Sequence, residues 1–292
     1  MPPKRFVLPL AVLLAGGSAA IVGVLHADAA EPPVSAGSFV TSPAVSPAVT
    51  PEPSAPVPAS PSAPPTRGAE NCTAGGSVAA GKYWLHNNQW GKKSGSGSQC
   101  VWSTGSGGWG TRWEWTGAGN TVKSYVSSVL GWHWGWKSPG TGLPVRIGEH
   151  RAVRTAWDYA VDRETANTMN VSYDLWLHDR ADPDWQDEPT DEVMVWLYRF
   201  GGAVPVGTKQ ATVTVGGTEW DVYRGDAGWR VSSFVRTSNT SSVELDLTDF
   251  TDYLIDRGWL ERTRYLSSVE AGAEIFTGSG SLDTSAYTVT IG

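Results

Sequence analysis

The stretch Asp191-Glu192-Val193-Met194-Val195-Trp196-Leu197 alternates between two kinds of side chain, and this period of two predicts a β-strand. Its three aliphatic side chains fall on one face and suit a buried core. The other face carries Glu192, Met194 and Trp196, which are a carboxylate, a thioether and a large flat ring. Such a face is suited to line a sugar-binding cleft, but a rim strand with one solvated Glu fits the same pattern. The choice between these interpretations depends on the rest of the chain.

Short stretches with strand character recur after residue 80, and turn residues separate them. The predicted strands cover residues 81–91, 100–102, 111–115, 143–147, 155–159, 169–178, 191–197, 211–215, 218–223, 231–236, 243–247, 265–277 and 286–291. Gly216-Gly217 is a two-residue hairpin signal between two of them. This number of short strands predicts an all-β fold, a β-jelly-roll sandwich of two antiparallel sheets.

One helix is predicted to pack on the sandwich, directly after the strand at residues 243–247. Thr248 is a candidate N-cap, because its hydroxyl could accept a hydrogen bond from the first turn. Phe250 and Leu254 give the helix an apolar side, and Gly258 is suited to end it.

The N-terminal part of the chain is not predicted to fold. Lys4 and Arg5 precede an apolar run at residues 6–25, and Ala27-Asp28-Ala29 resembles a cleavage site. This pattern predicts a signal peptide over residues 1–30 and a secreted, extracellular protein. An uncleaved membrane anchor is the alternative, and the Gly and Ser residues inside the run disfavour it.

Residues 31–68 are rich in Pro, Ala and Ser, which predicts a disordered linker. Residues 69–292 then form one folded domain, which contains all 16 Trp of the chain. Because Trp is rarely fully buried, many exposed rings are expected, and exposed rings in a secreted protein favour stacking on sugars. The net charge of −7 argues against nucleic acid and anionic membranes as partners.

The only two cysteines, Cys72 and Cys100, are expected to form a disulfide in an exported chain. Two free thiols are the alternative. The spacing of these cysteines and the scattered His residues supports no metal site.

Two carboxylates are candidates for glycosidic bond hydrolysis, which needs one acid and one nucleophile or base across the sugar. Glu192 is the first and Glu274 the second. Glu274 alternates with the apolar Ala273 and Ile275, and shares a strand face with Phe276. Two unrelated surface carboxylates would fit the same pattern.

Asp174 and His133 are further candidates. Asp174 shares a strand face with Trp176, so its carboxyl could share a proton with a neighbouring nucleophile; a cleft-rim Asp without a role is the alternative. His133 lies between two Trp residues and is interpreted as a cleft-lining hydrogen-bond donor, with a structural His as an equal alternative. Ser-His-Asp catalysis fits poorly, because no Gly-x-Ser-x-Gly elbow precedes a helix.

Taken together, five short stretches resemble glycoside hydrolase family 12 in order and spacing, over about residues 71–291. They are Asn87-Asn88-Gln89-Trp90-Gly91, Ser138-Pro139-Gly140-Thr141 with Leu143-Pro144-Val145, Ser172-Tyr173-Asp174-Leu175-Trp176-Leu177, Glu192-Val193-Met194-Val195-Trp196-Leu197, and Ala271-Gly272-Ala273-Glu274 with Phe276. The resemblance implies a secreted, retaining endoglucanase with a jelly-roll fold, which hydrolyses internal β-1,4 bonds of cellulose or related β-glucans without a cofactor or metal.

The same resemblance implies roles for individual residues. Glu192 would be the nucleophile, Glu274 the general acid/base, and Asp174 would support the nucleophile by a hydrogen bond. Cys72 and Cys100 match the family's N-terminal disulfide. The expected substrate-binding residues are Asn88, Trp90, His133, Trp134, Met194, Trp196 and Phe276. The substrate is then a β-glucan polysaccharide, bound by a monomer that has no membrane partner after signal cleavage.

Two departures from the family pattern stand out. A second cysteine pair, frequent in bacterial relatives, is replaced by Trp132 and Lys137, so packing is expected to hold that loop. Ile275 replaces the Pro that often follows the acid/base. Three alternatives remain: a hydrolase specific for xyloglucan or mixed-linkage glucan, a non-catalytic carbohydrate-binding sandwich, and a xylanase of a related family, whose Tyr-rich strands are absent here.

Overall fold

The computed structural model describes residues 67–105 and 107–292. The predicted signal peptide and nearly all of the predicted linker lie outside these residues. Within them are fifteen strands and one α-helix, and no helix there is long and apolar enough to cross a membrane. The elements are β1 (Ser77–Ala80), β2 (Tyr83–Asn88), β3 (Gly95–Gly105), β4 (Gly108–Gly117), β5 (Ser124–His133), β6 (Trp136–Lys137), β7 (Val145–Arg146), β8 (Val153–Arg163), β9 (Thr168–His178), β10 (Asp191–Phe200), β11 (Thr208–Val215), β12 (Thr218–Asp226), β13 (Arg230–Arg236), β14 (Ser242–Asp246), α1 (Thr248–Asp256) and β15 (Tyr265–Ile291).

The strands form two sheets that pack against each other, which confirms the predicted jelly-roll sandwich. The first sheet has the order β1-β2-β5-β15-β9-β10-β13-β12-β11, and the second has β3-β4-β15-β8-β14. The core lies between them, where Trp157 of the second sheet meets Tyr173 of the first with ring centroids 5.2 Å apart.

Strand β15 belongs to both sheets, which differs from the sequence prediction of two strands separated by a loop. It pairs with β5 and β9 up to Thr277, and with β4 and β8 beyond that point. At the crossing, Gly278 has φ +106°, and a Cβ there would lie 2.5 Å from the Asn167 side chain. The glycines that suggest a loop in the sequence instead let one continuous strand change sheets.

One pairing departs from the predicted antiparallel arrangement. β13 runs parallel to β10, with Glu192 opposite Val231, whereas every other strand pair among the described residues is antiparallel. The chain reaches β13 through the predicted β11–β12 hairpin, whose Gly216 and Gly217 both have positive φ.

Helix α1 covers the core edge, but its start differs from the prediction. Leu247 is the N-cap and its side chain makes no capping bond, whereas Oδ1 of Asp246 accepts the backbone N–H of Thr248 at 3.1 Å. Thr248 is already helical, and its hydroxyl donates to the carbonyl of Arg151 at 2.7 Å. Phe250 is buried and packs edge-on against Trp220, with ring centroids 5.1 Å apart.

Most tryptophans are buried, so the expectation of many exposed rings is wrong. Nine of the 16 are buried: Trp102, Trp109, Trp113, Trp115, Trp132, Trp157, Trp176, Trp196 and Trp220. Only Trp90, Trp136 and Trp185 are clearly exposed. Two sheets about 10 Å apart leave a thick space between them, and large rings fill it.

The expected disulfide joins Cys72 and Cys100. It ties the segment before β1 to β3 across a separation of 28 residues. In the chain-entropy view, a loop of this length contributes about 3–4 kcal/mol to the stability of the folded state.

Candidate active site

The opening stretch lies in β10 and divides its two faces as predicted. Val193, Val195 and Leu197 are buried in the core between the sheets. Glu192 and Met194 point to the opposite face of the first sheet. We call that surface, formed by alternate residues of β2, β5, β15, β9 and β10, the site face.

Strand register places four carboxylates on the site face. β9 is the central strand, with β10 on one side and β15 on the other. Asp174 of β9 lies opposite Met194 on β10 and opposite Glu270 on β15. Glu192 and Glu274 occupy the flanking strands, so the three predicted catalytic carboxylates come from three adjacent strands.

Glu192 is held by a residue that the sequence interpretation missed. The indole nitrogen of Trp229 donates a hydrogen bond to Oε2 of Glu192 at 2.7 Å, and Glu192 is only 8% exposed. Trp229 lies in the turn between β12 and β13, so its approach depends on the parallel β10–β13 pairing. Next to Glu192, Asp191 accepts hydrogen bonds from Arg230 at 2.7 Å and Arg264 at 3.1 Å, which secures the start of the strand.

Glu274 has Asn170 as its partner. The Nδ2 atom of Asn170 donates to Oε2 of Glu274, and the backbone N–H of Glu274 donates to Oδ1 of Asn170 at 3.4 Å. The two residues are directly opposite each other on β9 and β15. Asn170 was not predicted, since a single Asn in a strand carries no signal of its own.

Asp174 is 3% exposed and accepts a hydrogen bond from the hydroxyl of Ser172 at 3.1 Å. Its predicted hydrogen bond to Glu192 needs a proton shared between two carboxyls and stays a prediction.

Burial raises the pKa of Asp174, Glu192 and Glu274, because each loses water that would stabilise its charge. The charge of Glu192 raises the pKa of Asp174 further, and the charge of Glu274 raises the pKa of both. The N–H groups of Trp229 and Asn170 act in the opposite direction on Glu192 and Glu274 respectively. Closely spaced buried carboxyls of this kind share protons, so one can be ionised while another is protonated.

Glu270 is a fourth carboxylate that the sequence interpretation overlooked. It lies on the site face of β15, four residues before Glu274, and is 0% exposed. Its oxygens accept hydrogen bonds from Ser127, His133 and Trp176. The only available signal was its alternation with core residues in the same strand as Glu274.

Three tryptophans form a wall beside Glu192. The ring of Trp134 lies 4.9 Å from that of Trp176 and 5.6 Å from that of Trp229. Trp176 and Trp229 are 5.4 Å apart and edge-on to each other. Of this wall, only Trp134 was predicted to bind substrate.

Three other predicted substrate-binding residues form a packed floor. Met194, Trp196 and Phe276 cluster with Val231 and Val235 and are each less than a tenth exposed. Their position on the site face agrees with the predicted alternation, but their burial limits how much of each ring or thioether a sugar could touch.

Asn88 and Trp90 lie at the end of β2. Oδ1 of Asn88 accepts the backbone N–H of Trp90 at 3.2 Å, and the Trp90 ring is 50% exposed. His133 is 5% exposed, and its Nδ1 is bonded to Glu270, so its predicted contact with sugar would involve the rest of the ring.

A cavity of about 500 Å³ opens beside the Trp wall. It is lined by Trp84, His86, Trp134 and Trp136, together with small residues of the segment around β1. Trp136 is 53% exposed. The cavity therefore combines an accessible flat ring with space next to the site face.

Hydrogen bonds hold the loop that contains Trp132 and Lys137, for which the sequence predicted packing in place of a second cysteine pair. The indole nitrogen of Trp132 donates to the carbonyl of Asp184 at 2.7 Å. The ammonium of Lys137 donates to the Asp182 carboxylate and, at 3.0 Å, to the carbonyl of Pro183. The two residues that replace the cysteines thus both bind residues 182–184, so polar contacts add to the predicted packing.

Comparison with known proteins agrees with this geometry. The sequence pattern described as Glycosyl hydrolase family 12 matches residues 81–292. The chain belongs to glycosyl hydrolase family 12. As a member of this family it is a glycoside hydrolase, and endoglucanases are prominent among the relatives to which it is similar.

Two curated relatives show the extent of the similarity to this family 12 chain. Endoglucanase S of Pectobacterium parmentieri is 36% identical over 219 residues, which are 72% of this chain and 82% of that protein. Xyloglucan-specific endo-beta-1,4-glucanase A of Emericella nidulans is 34% identical over 236 residues, covering 77% of this chain and 92% of that protein.

Solved structures give the same result for the family 12 fold. The family 12 xyloglucanase of Bacillus licheniformis has a TM-score of 0.73 and 37% identity, and the match covers 77% of this chain and 100% of that one. Endoglucanase 3 of Trichoderma harzianum, also from this family, has a TM-score of 0.68 and 28% identity, with 77% and 97% covered.

Proposed function

We propose that this family 12 enzyme is a retaining endo-β-1,4-glucanase in which Glu192 is the nucleophile and Glu274 the general acid/base. The observation that carries the assignment is the hydrogen bond that Trp229 donates to Glu192. Trp229 offers Glu192 an indole N–H, which can only donate and therefore favours an ionised carboxylate. Asn170 also donates an N–H to Glu274, but its amide carries both a donor and an acceptor and so also accommodates a protonated carboxyl.

The proposed reaction has two steps, and it begins with Glu192 ionised and Glu274 protonated. Ionised Glu192 attacks the anomeric carbon while Glu274 gives its proton to the departing glycosidic oxygen. This step forms an ester at Glu192 and breaks the bond to the leaving sugar. Glu274 is now ionised and takes a proton from water as the water oxygen attacks the anomeric carbon, which breaks the bond between that carbon and Glu192 and releases the carboxylate.

The first step also changes the electrostatics of the pair. The ester at Glu192 is neutral, so the negative charge that raised the pKa of Asp174 is gone. Asp174 loses the same repulsion and can give up a proton that it shared with Glu192. Asp174 is therefore proposed to orient Glu192 before attack rather than to react itself.

Activated and natural substrates distinguish the two roles. In an aryl glycoside such as 2,4-dinitrophenyl β-cellobioside, the leaving group is the anion of a very acidic phenol, and it departs without needing a proton from the enzyme. Glu274→Gln should lose hydrolysis of carboxymethyl-cellulose but still release the phenol in a first turnover. Glu192→Gln should lose both, and Glu114→Gln, on the exposed face of β4, should lose neither. Phenol release by Glu192→Gln at the normal rate would refute the assignment.

Xyloglucan is the second candidate substrate. The Emericella nidulans and Bacillus licheniformis relatives are both named for this polysaccharide. The cavity lined by Trp84 and Trp136 offers space beside the path of a glucan chain, where a branch sugar fits. Initial rates on xyloglucan, mixed-linkage glucan and carboxymethyl-cellulose test this: a kcat/KM at least tenfold higher on xyloglucan supports it, and equal values on all three contradict it.

Export is part of the proposal and rests on the pattern at residues 1–30. Expression of the full chain in a secreting host should give a protein in the medium that begins at about residue 31 and lacks the apolar run at residues 6–25. Protein that stays with the membrane fraction and keeps Met1 would favour the anchor alternative instead.

A further inference from the structure

Glu270 is a buried carboxylate without a part in the proposed chemistry. It is completely buried, yet it lies on the site face directly opposite Asp174. Its Oε2 accepts the hydroxyl of Ser127 at 2.8 Å. Its Oε1 accepts Nδ1 of His133 at 2.7 Å and the indole nitrogen of Trp176 at 3.0 Å.

These three partners satisfy the buried oxygens of Glu270. A buried carboxylate is costly unless hydrogen bonds compensate for the lost water, and here both oxygens have donors. The indole of Trp176 can only donate, and Nδ1 of His133 donates when that nitrogen carries the hydrogen. Oε1 of Glu270 therefore receives two donors and Oε2 one.

The bonds also fix two aromatic rings, of which that of Trp176 lies next to the nucleophile. Trp176 lies opposite Glu192 on the neighbouring strand and packs against Trp229, which binds Glu192. His133 lies edge-on to Trp134 at 5.5 Å and to Trp84 at 5.6 Å. Glu270 therefore anchors both the Trp wall and the rim of the aromatic cavity.

We propose that Glu270 is a positioning residue for the glycosidase reaction, which anchors the rings of Trp176 and His133 and places a fourth carboxylate behind the reacting ones. The inference rests on the proposed function, because it takes Glu192 as the nucleophile. Glu270 itself does not touch the substrate, since its carboxylate is sealed beneath those rings.

The groups that face Glu270 support an electrostatic role. They are Ser127 and His133 from β5, Asp174 and Trp176 from β9, Glu192 from β10, Glu274 on its own strand, and His86 of β2 behind His133. None of them is Lys or Arg, so no permanent positive side chain in this set neutralises Glu270. Its charge raises the pKa of Glu192 and of Asp174, which keeps a proton within the carboxylate cluster at higher pH.

Glu270→Gln separates charge from hydrogen bonding. The Gln carbonyl can still accept from His133 and Trp176, and its amide nitrogen can donate to the oxygen of Ser127. The acid limb of the kcat/KM profile, set by ionisation of Glu192, should move to lower pH by about one unit, with KM within about twofold. The control Glu114→Gln removes a charge from the exposed face of β4 and should leave the profile in place.

Glu270→Asp makes the complementary change. It keeps the charge but is one methylene shorter, so it cannot reach all three donors. It should keep the acid limb within a few tenths of a unit and lower kcat about tenfold or more, because Trp176 loses its anchor. Trp176→Phe removes the same bond from the other side, and should lower kcat without moving the limb to lower pH.

Different variants test the charge of Glu270, its anchoring role and the proposed function. A folded Glu270→Gln enzyme whose pH profile superimposes on that of the wild type would overturn the role of the charge. Full kcat in both Glu270→Asp and Trp176→Phe would overturn the anchoring role, and this pair remains informative if Glu270→Gln does not fold. Failure of the proposed function looks different, since Glu192→Gln would then still release dinitrophenol whatever the Glu270 variants do.

Discussion

The indole nitrogen of Trp229 donates to Oε2 of Glu192 over 2.7 Å, although 37 positions separate the two residues in the chain. Trp229 stands in the turn before β13, and β13 runs parallel to the strand that carries Glu192. The only parallel pairing among the described strands thus delivers the hydrogen bond that favours an ionised nucleophile.

Removal of that hydrogen bond should reduce the fraction of Glu192 that is ionised and able to attack. Trp229→Phe keeps most of the ring and loses the donor, so the pKa of Glu192 rises and the acid limb of kcat/KM moves to higher pH. A hydrogen bond to a charged group contributes about 1.5–3 kcal/mol, which corresponds to a loss of roughly 10–100-fold in kcat/KM. Trp259→Phe, next to Tyr253 of α1, is the control and should change neither quantity. An acid limb that stays in place in Trp229→Phe would contradict the prediction.

Stability should depend on pH through the same carboxyl. Burial raises the pKa of Glu192 above its unfolded value by more than the Trp229 hydrogen bond lowers it, so ionisation of Glu192 costs more in the folded than in the unfolded state. Its contribution to stability is complete below the unfolded pKa and is lost as pH rises through the folded pKa. Glu192→Gln removes this loss, and its Tm should exceed that of the wild type in mildly alkaline buffer but match it near the ordinary carboxyl pKa.

The Tm difference between Glu192→Gln and the wild type reports the free energy of unfolding that the Glu192 charge costs in alkaline buffer. For a domain of this length, each kcal/mol corresponds to about 2–4 °C in Tm. Thermal unfolding followed by circular dichroism at both pH values provides the measurement. Glu114→Gln, at an exposed position, should show no pH-dependent difference from the wild type. A Tm gain of Glu192→Gln that is equal at both pH values would argue against burial of the charge as its cause.

The hydrogen bonds of Lys137 to Asp182 and Pro183 should affect substrate binding more than the stability of the fold. Lys137→Ala frees the segment that carries Trp134 and Trp136, so we expect KM to rise by about two- to fivefold and kcat to stay close to the wild-type value. The ion pair is partly exposed, so its loss should cost less than about 1 kcal/mol of global stability. Lys209→Ala breaks the comparable surface pair with Asp221 and should leave KM unaltered. An unchanged KM in Lys137→Ala would show that packing alone holds the segment.

The exposed ring of Trp136 should contribute to the binding of long glucans. Trp136→Ala should raise KM for xyloglucan by about five- to tenfold, equivalent to roughly 1–1.4 kcal/mol, with kcat little affected because the ring lies outside the reacting carboxylates. Trp136→Phe keeps a flat ring and should recover most of the affinity. If alanine and phenylalanine give the same KM, stacking on this ring does not contribute.

The strands and their faces could be predicted because alternation is a local property. In β10, the buried side of Val193, Val195 and Leu197 follows directly from the period of two. Gly216-Gly217 predicts its hairpin for a similar reason, since both residues must adopt positive φ. Glu192, Asp174 and Glu274 could be proposed together because each lies on the polar face of its own strand.

The partners of those carboxylates depend on tertiary structure. Asn170 meets Glu274 across 104 positions, and His133 meets Glu270 across 137. Strand register decides such contacts, and a local pattern does not encode which residues will face each other across a sheet. The unbroken β15 and the parallel β10–β13 pair likewise follow from how the sheets assemble. The sequence by itself therefore determined which side chains point away from the core, whereas only the folded sheets decided that Trp229 and Asn170 bind two of the carboxylates and that Glu270 lies buried behind them.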